Sequence, residues 1–327
     1  MDLAPFVAVR PGIPAPVRQI TRATNGFGPL EPLVSDPAVT DIFVNGGELW
    51  TDRGSGLRRE QSLEYTEAEL REFAVGLIAL GGRHIDEATP CVDVRLHDGI
   101  RVHVVLPPIS PTGTLISVRL PRLERFDLAA LNSAGFFVDV ALESIATMVE
   151  QRQNLLVTGA AGSGKTTLLS ALLGAADPAD RIIAIEDVAE LRPAHPHFVS
   201  LEARQANLEG AGSIGLDRLV REALRMRPDR LVVGECRGAE IRELLSALNT
   251  GHDGGAGTLH ANSLEDVPVR IEALGALAGL DAAAVARQAV SAIGAVLHLE
   301  RNSTGRRLAQ VGRFALDGRD RLRIEST

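Results

Sequence analysis

Apolar residues along the chain keep two rhythms, and the change falls near residue 139. Before it the pattern is mainly alternation. Asp41–Val44, Asn45-Gly46-Gly47 and Glu48–Thr51 predict strand, turn and strand. Thr66–Leu80 places Leu70, Phe73, Ala74, Leu77, Ile78 and Leu80 at helical spacing, with Thr66 as N-cap and Gly81-Gly82 as the stop. Val92–Leu96 and Ile100–Leu106 alternate on either side of His97-Asp98-Gly99, which predicts a hairpin ended by Pro107-Pro108, and Leu115–Leu120 adds a strand. Residues 1–34, with six prolines, read as an irregular arm holding one short helix near Val17–Thr24. Residues 121–138 show no period and read as a linker. The organisation expected is an arm over 1–34, a small α+β domain over 35–120, the linker, and a larger domain over 139–327.

From Asp139 helical periods alternate with short apolar runs. Helices are expected at Val140–Gln151, Ser213–Met226, Glu240–Leu248, Leu264–Ala278 and Asp281–Ala292. Strands are expected at Leu155–Val157, Arg181–Ile185 and Leu231–Val233, with another ending at Thr258–His260. Such alternation implies a mainly parallel sheet wrapped by helices, an α/β class. Val296–Glu300, Arg307–Leu316 and Arg321–Ile324 read as a closing β-meander.

Composition narrows this picture. In 327 residues, 45% are hydrophobic and 23% charged, enough for about two globular domains. A net charge of −8 argues against nucleic acid as the main partner. Cys91 and Cys236 form no CxxC and suggest neither a disulfide framework nor a zinc site. No apolar run reaches the roughly 18 residues of a spanning helix. The chain is therefore expected in the cytoplasm, reaching a membrane only through partner proteins.

The chemistry centres on Asn154–Leu169. After the apolar run comes Gly159-Ala160-Ala161-Gly162-Ser163-Gly164-Lys165-Thr166, which fits G-x-x-x-x-G-K-[ST] without mismatch, and Thr167 continues into a helix. Glycines let backbone N–H groups turn around an anion, and the helix N-terminus adds a positive dipole end. Lys165 is expected at the β- and γ-phosphates of a nucleotide, and the Thr166 hydroxyl on Mg²⁺. Of the 34 Lys+Arg residues, Lys165 is the only lysine. A compact ammonium is kept at the one place where a point charge must sit among phosphates.

Ligands bind such sheets at the carboxyl ends of the strands. That rule selects Glu186 and Asp187 after one strand, Glu235 after another and His260 after a third. Arg230–Glu235, RLVVGE, is an apolar strand ending in an acid and resembles a Walker B element, although Gly234 stands where Asp is common. Glu235 is expected to hold Mg²⁺ through water, to act as general base, or both. His260 closes Gly251–Asn262, a glycine-rich stretch, and could bond a γ-phosphate. His252 is the weaker histidine of that stretch.

These segments together resemble the type II/type IV secretion ATPase superfamily, specifically the CpaF-like motors of tight-adherence (Tad/Flp) pilus assembly. The collinear set runs through IFVNG (Ile42–Gly46), Arg83–Pro108, ISVRLP (Ile116–Pro121), the glycine loop, AIEDVAELR (Ala184–Arg192), Leu219–Glu240 and LNTGHDGGAGTLHAN (Leu248–Asn262). The resemblance implies a RecA-like P-loop NTPase domain behind the smaller α+β domain, with ATP and Mg²⁺ as cofactors. It implies that Glu186-Asp187 form an Asp box, Glu235 the Walker B glutamate and His260 the His box. It implies that Arg101 and Arg119 are presented to the phosphates by the first domain, with Arg237 near the active site. It further implies a hexameric ring acting on inner-membrane platform proteins. His103 and Cys236 depart from the usual Asn and aliphatic residue. A nucleic-acid translocase and a non-catalytic, ATP-binding scaffold are the alternatives, and intact Lys165, Glu186, Glu235 and His260 argue against the scaffold.

Overall fold

The computed structural model describes residues 25–54, 56–61, 63–96, 99–121, 126–204, 212–302 and 305–326. The helix expected near Val17–Thr24, residues 97 and 98 of the hairpin turn, and residues 122–125 of the linker lie outside the described residues. The chain divides into two compact units, Met1–Leu123 and Glu124–Thr327.

The first unit contains a 3₁₀ turn at Gly28–Leu30, α1 (Glu31–Ser35), β1 (Asp41–Asn45), β2 (Glu48–Asp52), β3 (Leu57–Arg59), α2 (Glu67–Leu80), β4 (Cys91–Arg95), β5 (Arg101–Val105) and β6 (Leu115–Arg119). The strands form one sheet in the order β3-β2-β1-β6-β5-β4. Neighbours in it are antiparallel. Thr66 caps α2 through a reciprocal capping box: its Oγ1 accepts from Glu69 N–H, and its own N–H donates to Glu69 Oε2. The alternation seen in sequence decides which face is buried. Ile42, Val44, Val102, Val104, Ile116 and Val118 pack with Leu70, Ala74, Leu77 and Ile78 of α2. Phe27, Leu30 and Val34, in the segment expected to be an irregular arm, are fully part of this core. Their spacing is too short and too broken by proline and glycine to announce a helix.

The second unit contains α3 (Leu128–Ser133), α4 (Leu142–Glu150), β7 (Leu155–Gly159), α5 (Lys165–Gly174), β8 (Ile182–Glu186), β9 (Phe198–Glu202), α6 (Leu216–Leu224), β10 (Arg230–Cys236), α7 (Glu240–Leu248), β11 (Ala256–His260), α8 (Val267–Leu277), α9 (Ala282–Ala292), β12 (Ala295–Asn302), β13 (Gly305–Leu316) and β14 (Leu322–Ser326). The sheet order is β14-β13-β12-β7-β11-β10-β8-β9. From β12 to β9 the pairing is parallel, while β13 and β14 add antiparallel. Leu155, Val157, Ile182 and Ala184 face one core with residues of α4 and α5. Leu156, Ile183, Leu231 and Val233 face the other with residues of α6, α7 and α9. Burial on both faces explains why these strands read as continuous apolar runs. Within residues 121–138, which lack a period, α3 is capped by Asp127, and Leu128, Leu131, Phe136 and Phe137 join the second unit's core. The edge strand β9 escaped the sequence pattern because FVSLE is short and only half-buried.

Candidate nucleotide site

β7 ends at Gly159, and α5 begins at Lys165. Between them Gly159, Gly162 and Gly164 hold φ of +147°, +70° and +101°, values that favour glycine. A Cβ at Gly159 would stand 2.6 Å from the Leu299 carbonyl oxygen and 2.6 Å from Ser163 Oγ. The Ser163 hydroxyl is buried and has no hydrogen-bond partner among the described residues. Thr166 and Thr167 occupy the first turn of α5, both half-buried. A tightly turned loop, an orphan hydroxyl and a helix N-terminus fit a phosphate chain.

Lys165 is only 8% exposed. Its Nζ donates to the carbonyls of Gly159 and Ala160, each at 3.0 Å, and lies 3.1 Å from His260 Nδ1. Burial lowers its pKa, and the Glu235 carboxylate opposes that shift. The ammonium rests on the loop it would share with a nucleotide.

The strand order brings the remaining groups in. β11 lies between β7 and β10, and His260 pairs in register with Gly159. His260 Nε2 lies 3.2 Å from Glu235 Oε1. Burial lowers the His260 pKa, Lys165 lowers it further, and Glu235 opposes. Thus Lys165, His260 and Glu235 form one connected line from the start of α5 across the ends of β11 and β10.

Glu186, at the end of β8, is 4% exposed. Its Oε1 accepts from the backbone N–H of Glu190 at 2.9 Å and of Leu191 at 3.0 Å. Its side chain also explains Gly234: a Cβ there would lie 2.5 Å from Glu186 Cγ. The glycine in place of the common Asp is therefore a packing consequence of Glu186. Asp187 pairs with Arg237 at 2.5 Å. Burial raises the Asp187 pKa, Arg237 opposes, and Glu240 and Glu235 reinforce the rise. The N–H groups of Arg237 and Gly238 donate to Glu240 Oε1 at 2.5 and 2.6 Å, which fixes the turn after β10. Cys236 is buried and its thiol pKa is pushed far up by that burial. His252 is held apart, with Nδ1 3.1 Å from the Ala247 carbonyl oxygen.

Two contacts behind and beside the loop had no signal in the sequence. His298 of β12 is buried, with Nδ1 2.9 Å from Thr158 Oγ1. Arg306 of β13 donates from Nε to the Gly162 carbonyl at 2.7 Å. Both follow from β12 pairing with β7, a long-range neighbour relation that local pattern does not encode.

Residues 23–308 match the family model described as Type II/IV secretion system protein. The chain belongs to that family. Among relatives of this secretion-protein family, a Mycobacterium tuberculosis protein provisionally named for conjugal transfer is 48% identical over 91% of this chain and 87% of its own length. The conjugal transfer protein TrbB of Rhizobium radiobacter is 30% identical, covering 85% of this chain and 84% of its own. The type IV secretion system protein PtlH of Bordetella pertussis is 33% identical, over 72% and 76%. Among solved structures, the ADP-bound pilus retraction motor PilT is 19% identical with a TM-score of 0.60, over 88% of this chain and 79% of that one. The Legionella pneumophila ATPase DotB is 18% identical with a TM-score of 0.55, over 96% and 82%. These two likenesses bear on the fold, a RecA-like core preceded by an N-terminal domain.

In this type II/IV secretion family chain, Arg101 and Arg119 stand in the first unit. They lie on the sheet face opposite the core and pair with each other in the β5–β6 register. Arg95 pairs with Arg101 on one side, and Asp41 with Arg119 on the other. Three arginines therefore share one row, two of which the family resemblance implies as phosphate-facing. Strand parity held the signal for Arg95, but not the register. Among the described residues no helix is long and apolar enough to cross a membrane, and no cluster of three or more His, Cys, Asp or Glu could hold a metal ion.

Proposed function

We propose that the chain is an ATP-hydrolysing motor of a bacterial secretion or pilus-assembly apparatus. The observation that carries this is the Lys165–His260–Glu235 line beside the glycine loop. The loop residues Gly159–Thr167 would wrap the phosphates, with Lys165 leaving its loop carbonyls for the β- and γ-phosphates. Thr166, and Glu235 through water, would hold Mg²⁺, which neutralises charge on the phosphate oxygens. Glu235 is assigned the general base. Glu186 is assigned the positioning of the chain after β8, because its carboxylate already accepts two backbone N–H groups. His260 would carry the state of the γ-phosphate to Glu235, and Arg237 would act from its pairing with Asp187.

Arg101 and Arg119 complete the reading. Their guanidinium forks suit phosphate oxygens, and they would engage when the first domain closes on bound ATP. Hydrolysis would then become domain movement in a hexameric ring, cytoplasmic and docked on inner-membrane platform proteins. A Tad/Flp-type pilus is the assembly suggested by the sequence set. The conjugal-transfer and type IV secretion names of the relatives favour a second assembly of the same motor class, a type IV secretion channel.

The test is steady-state ATPase activity with and without Mg²⁺, with mass photometry in the presence of a non-hydrolysable ATP analogue. Mg²⁺-dependent turnover and a hexamer are expected. Absence of turnover in the hexamer would overturn the motor. Loss of surface pili or loss of conjugation in a deletion strain separates the two assemblies.

A further inference from the structure

The hairpin of β12 and β13 carries two arginines to which the proposed function gives no role toward the nucleotide. Arg301 and Arg306 are direct cross-strand partners in the antiparallel register. Like charges directly opposite each other destabilise a strand pair. The neighbouring row shows what the same hairpin does where charge is balanced: Glu300 faces Arg307 and binds it at 3.0 Å, while Asp139 binds the same guanidinium at 3.0 Å. No such balance exists for Arg301, whose side chain makes no hydrogen bond or ion pair among the described residues.

The position of this cationic row is specific. Arg306 Nε donates to the Gly162 carbonyl at 2.7 Å, and its Cδ would be 3.3 Å from a Cβ at Gly164. Arg301 Nη1 would be 3.6 Å from a Cβ at Gly162. Both guanidinium groups thus stand against Gly162 of the phosphate loop, and the Arg306 stem against Gly164. They reach it from the same compact unit, because β12 is hydrogen-bonded to β7. In a chain of net charge −8, the unbalanced Arg301 guanidinium beside a phosphate loop makes sense as part of a site for an anion.

We propose that Arg301 and Arg306 form a cationic rim that binds the phosphates of the nucleotide, ADP as well as ATP, from within the ATPase domain. This rests on the nucleotide reading of the loop and deepens it. Arg306 also holds the loop through Gly162, whereas the Arg301 guanidinium is engaged by no hydrogen bond or ion pair among the described residues and would be open to the ligand. The rim differs in kind from Arg101 and Arg119. It needs no domain closure, so its contribution is the same before and during hydrolysis. Uniform binding of that kind lowers KM without raising kcat.

The experiment compares the full-length parent with Arg301→Ala and Arg301→Lys. It measures ADP affinity by calorimetry at two salt concentrations, and kcat and KM for MgATP, with thermal melting to show that the fold is kept. Arg301→Ala is expected to weaken ADP binding and raise KM by roughly fivefold to tenfold, with kcat within about twofold of the parent and a shallower salt dependence. Arg301→Lys should fall between the two. Unchanged ADP affinity and KM would overturn the rim while leaving the nucleotide site intact. A fall in kcat at unchanged KM would also overturn it. Absence of ADP binding by the parent itself would instead overturn the nucleotide reading on which the rim stands.

Discussion

His260 Nε2 lies 3.2 Å from Glu235 Oε1. The other ring nitrogen, Nδ1, is 3.1 Å from Lys165 Nζ, which has only protons to offer. Nδ1 must therefore accept, and a neutral imidazole then carries its proton on Nε2 and donates it to Glu235. The lowered His260 pKa, caused first by burial and next by Lys165, agrees with that neutral form.

From this line Glu235→Gln is expected to keep MgATP binding and to lose turnover by about 100-fold or more, the scale of a lost general base. Glu186→Gln should lose much less, because an amide oxygen still accepts from the N–H groups of Glu190 and Leu191. Single-turnover rates beside nucleotide affinity check both. Equal losses in the two variants would sink the division of roles, and the double variant would then show non-additivity.

Lys165→Ala and Lys165→Arg should both abolish tight nucleotide binding. The ammonium sits 8% exposed among loop carbonyls, where a planar guanidinium has neither the room nor the geometry. Fluorescent-nucleotide titration decides this, and tight binding by the arginine variant would refute it.

Gly234→Ala should destabilise the second unit by about 1–3 kcal/mol, since the added Cβ meets Glu186 Cγ at 2.5 Å. Chemical denaturation measures the loss. It should shrink when Glu186 is shortened to Ala in the same chain, since the collision is then removed.

Burial lowers the His298 pKa, with Lys165 adding to the shift and Glu300, Glu265 and Asp266 opposing it. A histidine whose folded pKa is depressed binds fewer protons in the folded state. Its stabilising share is present above the unfolded value of about 6.5 and is lost as pH falls from there through the folded value. Melting temperature should therefore drop over that window more steeply in the parent than in His298→Gln. Parallel curves for the two proteins would show that His298 does not titrate as described.

Arg101→Ala and Arg119→Ala are each expected to lower turnover about tenfold or more while leaving ADP affinity and the melting temperature near the parent's. Both side chains leave the core untouched, lying on the face opposite Val102 and Val118. Two variants that hydrolyse ATP like the parent would end the proposal that the first domain completes the site.

The glycine loop, the strand-end acids and the alternation of helix and strand were legible because each is local. A phosphate loop needs its glycines and lysine at fixed spacing, and a strand buried on both faces must be apolar throughout. The sequence also announced the α2 cap at Thr66 and placed Arg101 and Arg119 on strands of the first domain. It did not announce which strands become neighbours. Sheet order alone put His260 between Lys165 and Glu235, set Arg306 on Gly162, and placed Arg95 in the row of Arg101 and Arg119. It also turned Gly234 from an irregular Walker B residue into the space that Glu186 occupies. Register and strand order are fixed by the packing of two whole core layers, so no stretch of the chain states them by itself.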